Sequence, residues 1–219
     1  MNSQTVLEHI YKKKIIAIVR GVDKKYIVDT AKAILDGGID CLEITINHKN
    51  CTAIEKTYES IELLKEIFGD KLYLGAGTVL SVEEVDKVIK AGAQYIISPD
   101  MNTDVIRYTK EADKISIPGA FTPTEVVKAH EAGADIVKVF PAGLMGAPYI
   151  KALKGPLAHI PLSAVGGITP DNVSDFLKGG CCCVGIGGNL VDLNAIYNGN
   201  YKLITEIAKA YVQNVNNIN

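Results

Sequence analysis

Helical stretches that stop at a glycine and resume about three residues later as a short strand, with strands apolar on both faces, predict an α/β protein. The expected architecture is a single (β/α)8 TIM barrel over residues 1–219, with an N-terminal helix. The recurring junction is read at Asp36-Gly37-Gly38-Ile39-Asp40-Cys41, Lys90-Ala91-Gly92-Ala93-Gln94-Tyr95, Glu131-Ala132-Gly133-Ala134-Asp135-Ile136 and Lys178-Gly179-Gly180-Cys181-Cys182-Cys183. In each, the glycine supplies the left-handed cap that turns a helix into a strand. The junctions are spaced at about twice one strand-plus-helix unit, so unmarked units fall between them and eight result.

Strands are expected at Ile15–Val19, Cys41–Ile46, Tyr73–Gly75, Tyr95–Ser98, Ser116–Pro118, Ile136–Phe140, Leu162–Val165 and Val184–Ile186. Helix starts are signalled by capping boxes at Ser81-Val82-Glu83-Glu84 and Thr122-Pro123-Thr124-Glu125, and by Thr169-Pro170. An open doubly wound sheet is the competing arrangement. It would want Gly-x-Gly-x-x-Gly after the first strand, where Arg20-Gly21-Val22-Asp23 stands instead, so the barrel is preferred.

Composition narrows the function. The 219 residues are 47% hydrophobic with a net charge of −2, enough apolar content for a sizeable core and no global field for nucleic acid or anionic membrane. No apolar run approaches the ~20 residues of a membrane-spanning helix, and no secretory leader is read, so the expected location is the cytoplasm. Of five cysteines, Cys181, Cys182 and Cys183 are adjacent. Successive strand residues point to opposite faces, so the triplet cannot chelate one ion and reads as small strand hydrophobes. His9, His48, His130 and His159 show no mutual ligand spacing, so no metal is expected.

In such a barrel the chemistry gathers where the strands end. Lys138 stands apart from the other lysines, because Ile136-Val137-Lys138-Val139-Phe140-Pro141 surrounds it with apolar neighbours. Desolvation there would lower its pKa toward a nucleophilic, Schiff-base amine; pairing with an inward carboxylate or snorkelling to the barrel mouth is the alternative. Glu43, in Cys41-Leu42-Glu43-Ile44-Thr45, is the matching mid-strand acid, read as a general acid/base or as an ion-pair partner of Lys138 or Arg20. Glycines close four strands at Gly75-Ala76-Gly77-Thr78, Pro118-Gly119, Gly166-Gly167-Ile168 and Gly185-Ile186-Gly187-Gly188. The last two follow the seventh and eighth predicted strands, where barrels often hold phosphate on bare backbone N–H groups.

At these residues the chain resembles the family of 2-keto-3-deoxy-6-phosphogluconate (KDPG) and 4-hydroxy-2-oxoglutarate (KHG) aldolases. The likeness runs from Ile16-Ala17-Ile18-Val19-Arg20-Gly21 through Leu42-Glu43-Ile44-Thr45, Gly75-Ala76-Gly77-Thr78-Val79-Leu80, Ile97-Ser98-Pro99 and Ile117-Pro118-Gly119. It continues at Val137-Lys138-Val139-Phe140-Pro141-Ala142, Gly166-Gly167-Ile168 and Gly187-Gly188. The resemblance implies a class I lyase acting on a small 2-keto acid without a cofactor. It makes Lys138 the Schiff-base lysine, Glu43 the acid/base, Thr78, Pro99 and Phe140 pocket walls, and Gly166, Gly167, Gly187 and Gly188 the phosphate cradle. It also implies a homotrimer.

Two departures qualify the substrate. Many KDPG aldolases have an arginine four residues after the catalytic glutamate to hold the keto-acid carboxylate, where this chain has Asn47; Arg20 is the expected substitute. Asn47-His48, Ala164-Val165 and Tyr149-Ile150-Lys151-Ala152-Leu153-Lys154 look closer to the 2-dehydro-3-deoxy-6-phosphogalactonate aldolase branch, the nearest alternative. Many relatives also carry a serine near the eighth strand's loop, where Gly188-Asn189 leaves phosphate contact to backbone amides or to Asn189. More distant alternatives are a phosphosugar epimerase or thiamine-phosphate-synthase-like barrel, and a non-catalytic phosphometabolite-binding barrel.

Overall fold

The computed structural model describes residues 2–218. Its strands are β1 (Ile15–Val19), β2 (Cys41–Thr45), β3 (Tyr73–Gly77), β4 (Tyr95–Ile97), β5 (Ile115–Ile117), β6 (Gly119–Ala120), β7 (Val137–Val139), β8 (Leu162–Val165) and β9 (Cys181–Ile186). All neighbouring pairs are parallel, in the order β5-β4-β3-β2-β1-β9-β8-β7-β6. Only Pro118 separates β5 from β6, so one chain segment joins both ends of this order and closes a TIM barrel of eight strand positions. Proline has no N–H for the ladder, which is why this strand breaks there. Below the break it pairs with β4, and above it Gly119 pairs with Lys138 of β7.

The helices are α1 (Ser3–Lys13), α2 (Lys24–Asp36), α3 (Cys51–Phe68), α4 (Val82–Ala91), α5 (Thr103–Glu111), α6 (Pro123–Glu131), α7 (Ala147–Lys154), α8 (Val173–Lys178), α9 (Leu193–Tyr197) and α10 (Tyr201–Asn216). The box expected at α6 is complete, with Thr122 and Glu125 capping reciprocally. At α4 it is half made: Ser81 Oγ accepts from the Glu84 N–H, but Glu84 reaches past Ser81 to the N–H of Leu80. Thr169-Pro170 opens a turn one step ahead of α8, with Thr169 and Asn172 exchanging side-chain and backbone bonds. The last strand begins at Cys181, three residues earlier than expected, because all three cysteines lie in the ladder as small hydrophobes.

Strand alternation divides the core. Outward residues such as Leu42, Ile44, Val137 and Val139 pack beneath the helices. A separate inner cluster joins Ile16, Cys41, Tyr95, Ile115, Ile136 and Cys183 to Val6 and Ile10 of α1. The N-terminal helix therefore seals the lower end of the barrel. It is held at its start by Asn2, whose side chain accepts from the Thr5 N–H at 2.9 Å. No helix among the described residues is long and apolar enough to cross a membrane.

Candidate active site

Because Leu42 and Ile44 face the helices, Glu43 between them must face inward, and the same alternation turns Lys138 inward from β7. Glu43 is 1% exposed and Lys138 4%. Room for the carboxylate comes from the neighbouring strand: a Cβ on Gly77 would lie 1.6 Å from Glu43 Oε1. Both groups sit at the floor of a cleft of about 500 Å³ at the C-terminal end of the strands.

Burial pushes the Glu43 carboxyl upward, opposed by the positive charges of Lys138 and Arg20. Burial pushes the Lys138 ammonium downward, opposed by Glu43 and reinforced by Arg20. Each shift brings the group nearer to exchanging protons around neutrality. The two do not close a direct ion pair: Glu43 Oε1 accepts from Thr45 Oγ1 at 3.3 Å, and Oε2 has no hydrogen-bond partner among the described residues. Lys138 Nζ lies 4.8 Å from the centre of the Phe140 ring, which covers the amine from the cleft wall. A desolvated amine beside an unpartnered carboxylate oxygen is suited to attack a carbonyl carbon and relay a proton.

Arg20, Thr78, Pro99, Phe140, Gly166, Gly167, Gly187 and Gly188 all line this cleft with Glu43 and Lys138. Arg20 Nη2 donates to Thr78 Oγ1 at 3.2 Å, so the guanidinium is held at the rim. Thr78 has φ +56°, a rare conformation for a β-branched residue, adopted where the chain leaves β3 for the cleft edge. Asn47 is placed differently. Strand β2 ends at Thr45, and the following loop carries Asn47 out of the cleft, where it is exposed and its Oδ1 accepts from the Lys49 N–H. It lines a hollow of about 600 Å³ near α2 and α3, with Lys24, Lys49 and Lys56, and also a hollow of about 430 Å³ bordered by Arg20 and Thr78, which line the cleft as well. Ile18, Val165, Ile168 and Gly185 also line the cleft and were not expected. Ile18 and Gly185 stand two residues before Arg20 and Gly187, so strand alternation was the signal for them.

The glycine loops are bare. Gly166 and Gly167 have φ +90° and +74°, open to glycine at little strain, and nothing lies within 4 Å of where a Gly188 Cβ would stand. The N–H groups of Gly167, Ile168, Gly188 and Asn189 have no acceptor among the described residues. The Asn189 amide, expected to be free for a ligand, donates to the Ile168 carbonyl at 2.7 Å.

For a metal, the described residues offer one set of mixed donors, His9, Asp40 and Cys41, with ligand atoms within 4.8 Å of one another. It lies where α1 meets the start of β2, at the sealed end. There Lys13 Nζ stands 3.4 Å from Asp40 Oδ2 and already balances the carboxylate. An ion there would be remote from the cleft.

Fold and cleft together define a barrel enzyme built around a buried amine and a buried carboxylate. Comparison with known proteins agrees: the model of the KDPG and KHG aldolase family matches residues 6–207. The 2-dehydro-3-deoxy-6-phosphogalactonate aldolase of Escherichia coli is 38% identical over 180 residues, 82% of this chain and 85% of that protein. The KHG/KDPG aldolase of the same organism is 31% identical over 193 residues, 86% of each. The crystal structure of a KDPG aldolase from Legionella pneumophila, with pyruvate captured as a covalent carbinolamine, superposes with a TM-score of 0.84 at 29% identity, covering 94% and 97% of the two chains. This chain belongs to the KDPG and KHG aldolase family, and is thus a carbon-carbon lyase.

Proposed function

We propose that the protein cleaves a 6-phosphorylated 2-keto-3-deoxy sugar acid through a Schiff base on Lys138. The carrying observation is the buried Lys138 and Glu43 at the cleft floor, beneath loops whose amides are unpaired. The Lys138 amine adds to the C2 carbonyl and water leaves, forming a protonated imine. Glu43, directly or through a water, takes the proton from the C4 hydroxyl as the C3–C4 bond breaks. The electron pair passes into the imine and an aldehyde departs. The resulting enamine is protonated at C3, and water hydrolyses the imine to release pyruvate and restore the amine. Arg20 binds the keto-acid carboxylate, and the Gly166–Gly167 and Gly187–Gly188 loops take the phosphate.

Of the two epimers, the galactonate form is the preferred substrate in this reading, giving pyruvate and glyceraldehyde 3-phosphate. Asn47 in place of an arginine, beside Arg20 and Thr78, and the greater identity to the phosphogalactonate aldolase support that order. KDPG is the second reading, supported by the KDPG-active relatives, and KHG, which lacks the phosphate, comes third. A panel of the three substrates coupled to pyruvate detection tests the order: the highest kcat/KM on KDPG or KHG would reverse it. Borohydride with pyruvate should add mass at Lys138. Labelling that survives Lys138→Met would defeat the assignment.

The homotrimer implied by the family is part of the same proposal. Leu144 (80% exposed) and Met145, beside the cleft, supply apolar surface suited to a subunit contact. Light scattering at working concentration would read the oligomer directly.

A further inference from the structure

The capping boxes of α4 and α6 follow one sequence pattern, yet their glutamates do different things. Glu125 of α6 turns a single oxygen to its own cap: Oε2 accepts from the N–H groups of Phe121 and Thr122 and from the Thr122 hydroxyl. Glu84 of α4 divides its two oxygens. Oε2 accepts from the Leu80 N–H at 2.7 Å, and Oε1 accepts from His48 Nε2, also at 2.7 Å. A carboxylate held at one oxygen by the backbone at its own helix start is a fixed anchor at the other. His48 belongs to the loop between β2 and α3, and Leu80 to the loop between β3 and α4, so Glu84 ties the two loops together.

Those loops wall the hollow of about 430 Å³ that shares Arg20 and Thr78 with the cleft. Thr78 stands on one loop, and Asn47, His48 and Lys49 on the other. The cations bordering the hollow are Arg20 and Lys49, and no carboxylate lines it, which suits an anion. Asn47 Oδ1 accepts from the Lys49 N–H at 3.1 Å, a side-chain turn with His48 at its centre. That bond occupies the amide oxygen and leaves Nδ2 as the donor Asn47 can offer. Anchoring the central residue holds the whole turn. We infer that His48, held by Glu84, is a positioning residue for recognition of the keto-acid carboxylate. It keeps the Asn47 amide beside Arg20, so that both donate to the carboxylate. The inference deepens the proposed function and rests on its placement of the carboxylate at Arg20. His48 itself touches no substrate.

Pyruvate carries that carboxylate and no phosphate, so it isolates this end of the substrate. His48→Ala frees the turn. The pyruvate concentration that half-saturates borohydride trapping should then rise about fivefold, the size of one modest hydrogen bond. KM for the phosphorylated substrate should rise by the same factor with kcat unchanged, since the carboxylate contact is equal in ground and transition states. His48→Gln, whose amide nitrogen can again donate to Glu84, should recover much of both losses. Asn47→Ala should raise the pyruvate requirement similarly, and adding His48→Ala to it should change little more, because the histidine acts through the asparagine. The inhibition constant of inorganic phosphate, a probe of the glycine loops, should not move.

A His48→Ala enzyme that traps pyruvate at the parent's concentration overturns the inference. So does one in which pyruvate trapping and phosphate inhibition weaken together, which marks general loosening of the barrel mouth, or one whose defect His48→Gln does not reduce. A change in phosphate inhibition alone would place the other end of the substrate here and overturn it too. Failure of the parent enzyme to trap pyruvate would instead defeat the Schiff-base reading. An Arg20→Gln enzyme with the parent's pyruvate requirement would defeat the placement of the carboxylate, so the failures are distinguishable.

Discussion

The two ends of the barrel are built from the same strands and the same inward alternation, yet they do opposite things. At the lower end, Ile16, Cys41, Tyr95, Ile115, Ile136 and Cys183 fill the interior and α1 seals it with Val6 and Ile10. Two residues further along the strands, Ile97 and Ile117 still belong to the apolar cluster, but the other inward positions are Ile18, Glu43, Gly77, Lys138 and Gly185, and on that side the barrel is open. The apolar end contributes stability, each buried Ile or Val being worth about 1.5–3 kcal/mol. The open end gives some of that up by burying one amine and one carboxylate without direct pairing, the condition on which their proposed roles rest. Stability and chemistry are thus separated along the barrel axis by one step of the strand repeat.

The sharpest way to break this comparison is at Lys138. Lys138→Met should abolish pyruvate-dependent labelling by mass spectrometry and lower turnover by at least about 10⁴-fold, with the fold retained. Next is Glu43→Gln, expected to cut kcat by about 10²- to 10⁴-fold while imine trapping persists. Trapping requires the neutral amine, so its rate should climb with pH through the Lys138 pKa, which burial sets below the ordinary lysine value. Ionised Glu43 raises that pKa by stabilising the ammonium. Removing the carboxylate should therefore move the rising limb to lower pH, and a shift to higher pH would contradict the electrostatics described.

Two glycines on β3 test the division directly. A Cβ on Gly77 meets the Glu43 carboxylate, and one on Gly75, two residues below, would lie 2.0 Å from the Tyr95 ring. Gly77→Ala should lower kcat by about 10²-fold through a displaced Glu43. Gly75→Ala should instead cost about 1–3 kcal/mol of stability by overpacking, with kcat of the folded enzyme nearly unchanged. Equal activity losses in both would show that the ends are not independent. The smallest effect on catalysis belongs to Ile10→Ala in the α1 seal: about 2–5 kcal/mol of stability measured by denaturant unfolding, with no change in kcat/KM.

Much of this was legible in the sequence because it depends on local order. A strand residue's neighbours at ±1 and ±2 settle which way it faces, so Glu43 and Lys138 announced themselves as polar residues at inward, apolar positions. Asn47 was less legible: spacing along β2 holds only while the strand continues, it stops at Thr45, and the loop after it decides that Asn47 stands beside Arg20 and Thr78. The break at Pro118 was missed because Ser116–Pro118 read as one strand, whereas proline's missing N–H matters only once both neighbouring strands are known. Asn189 carried the right chemistry for an anion, but its partner, the Ile168 carbonyl, lies 21 residues away along the chain.

The sequence by itself determined the repeat of strand and helix, the faces of the strands, the buried amine and carboxylate, and the bare glycine loops. These follow from backbone periodicity and from what each residue type tolerates. Only the tertiary structure decided that Lys138 and Glu43 share one cleft without direct pairing, that α1 seals the far end, and that α10 reaches across to the Ile168 and Pro170 carbonyls. Those facts join residues distant in sequence, and closing the barrel is what brings them together.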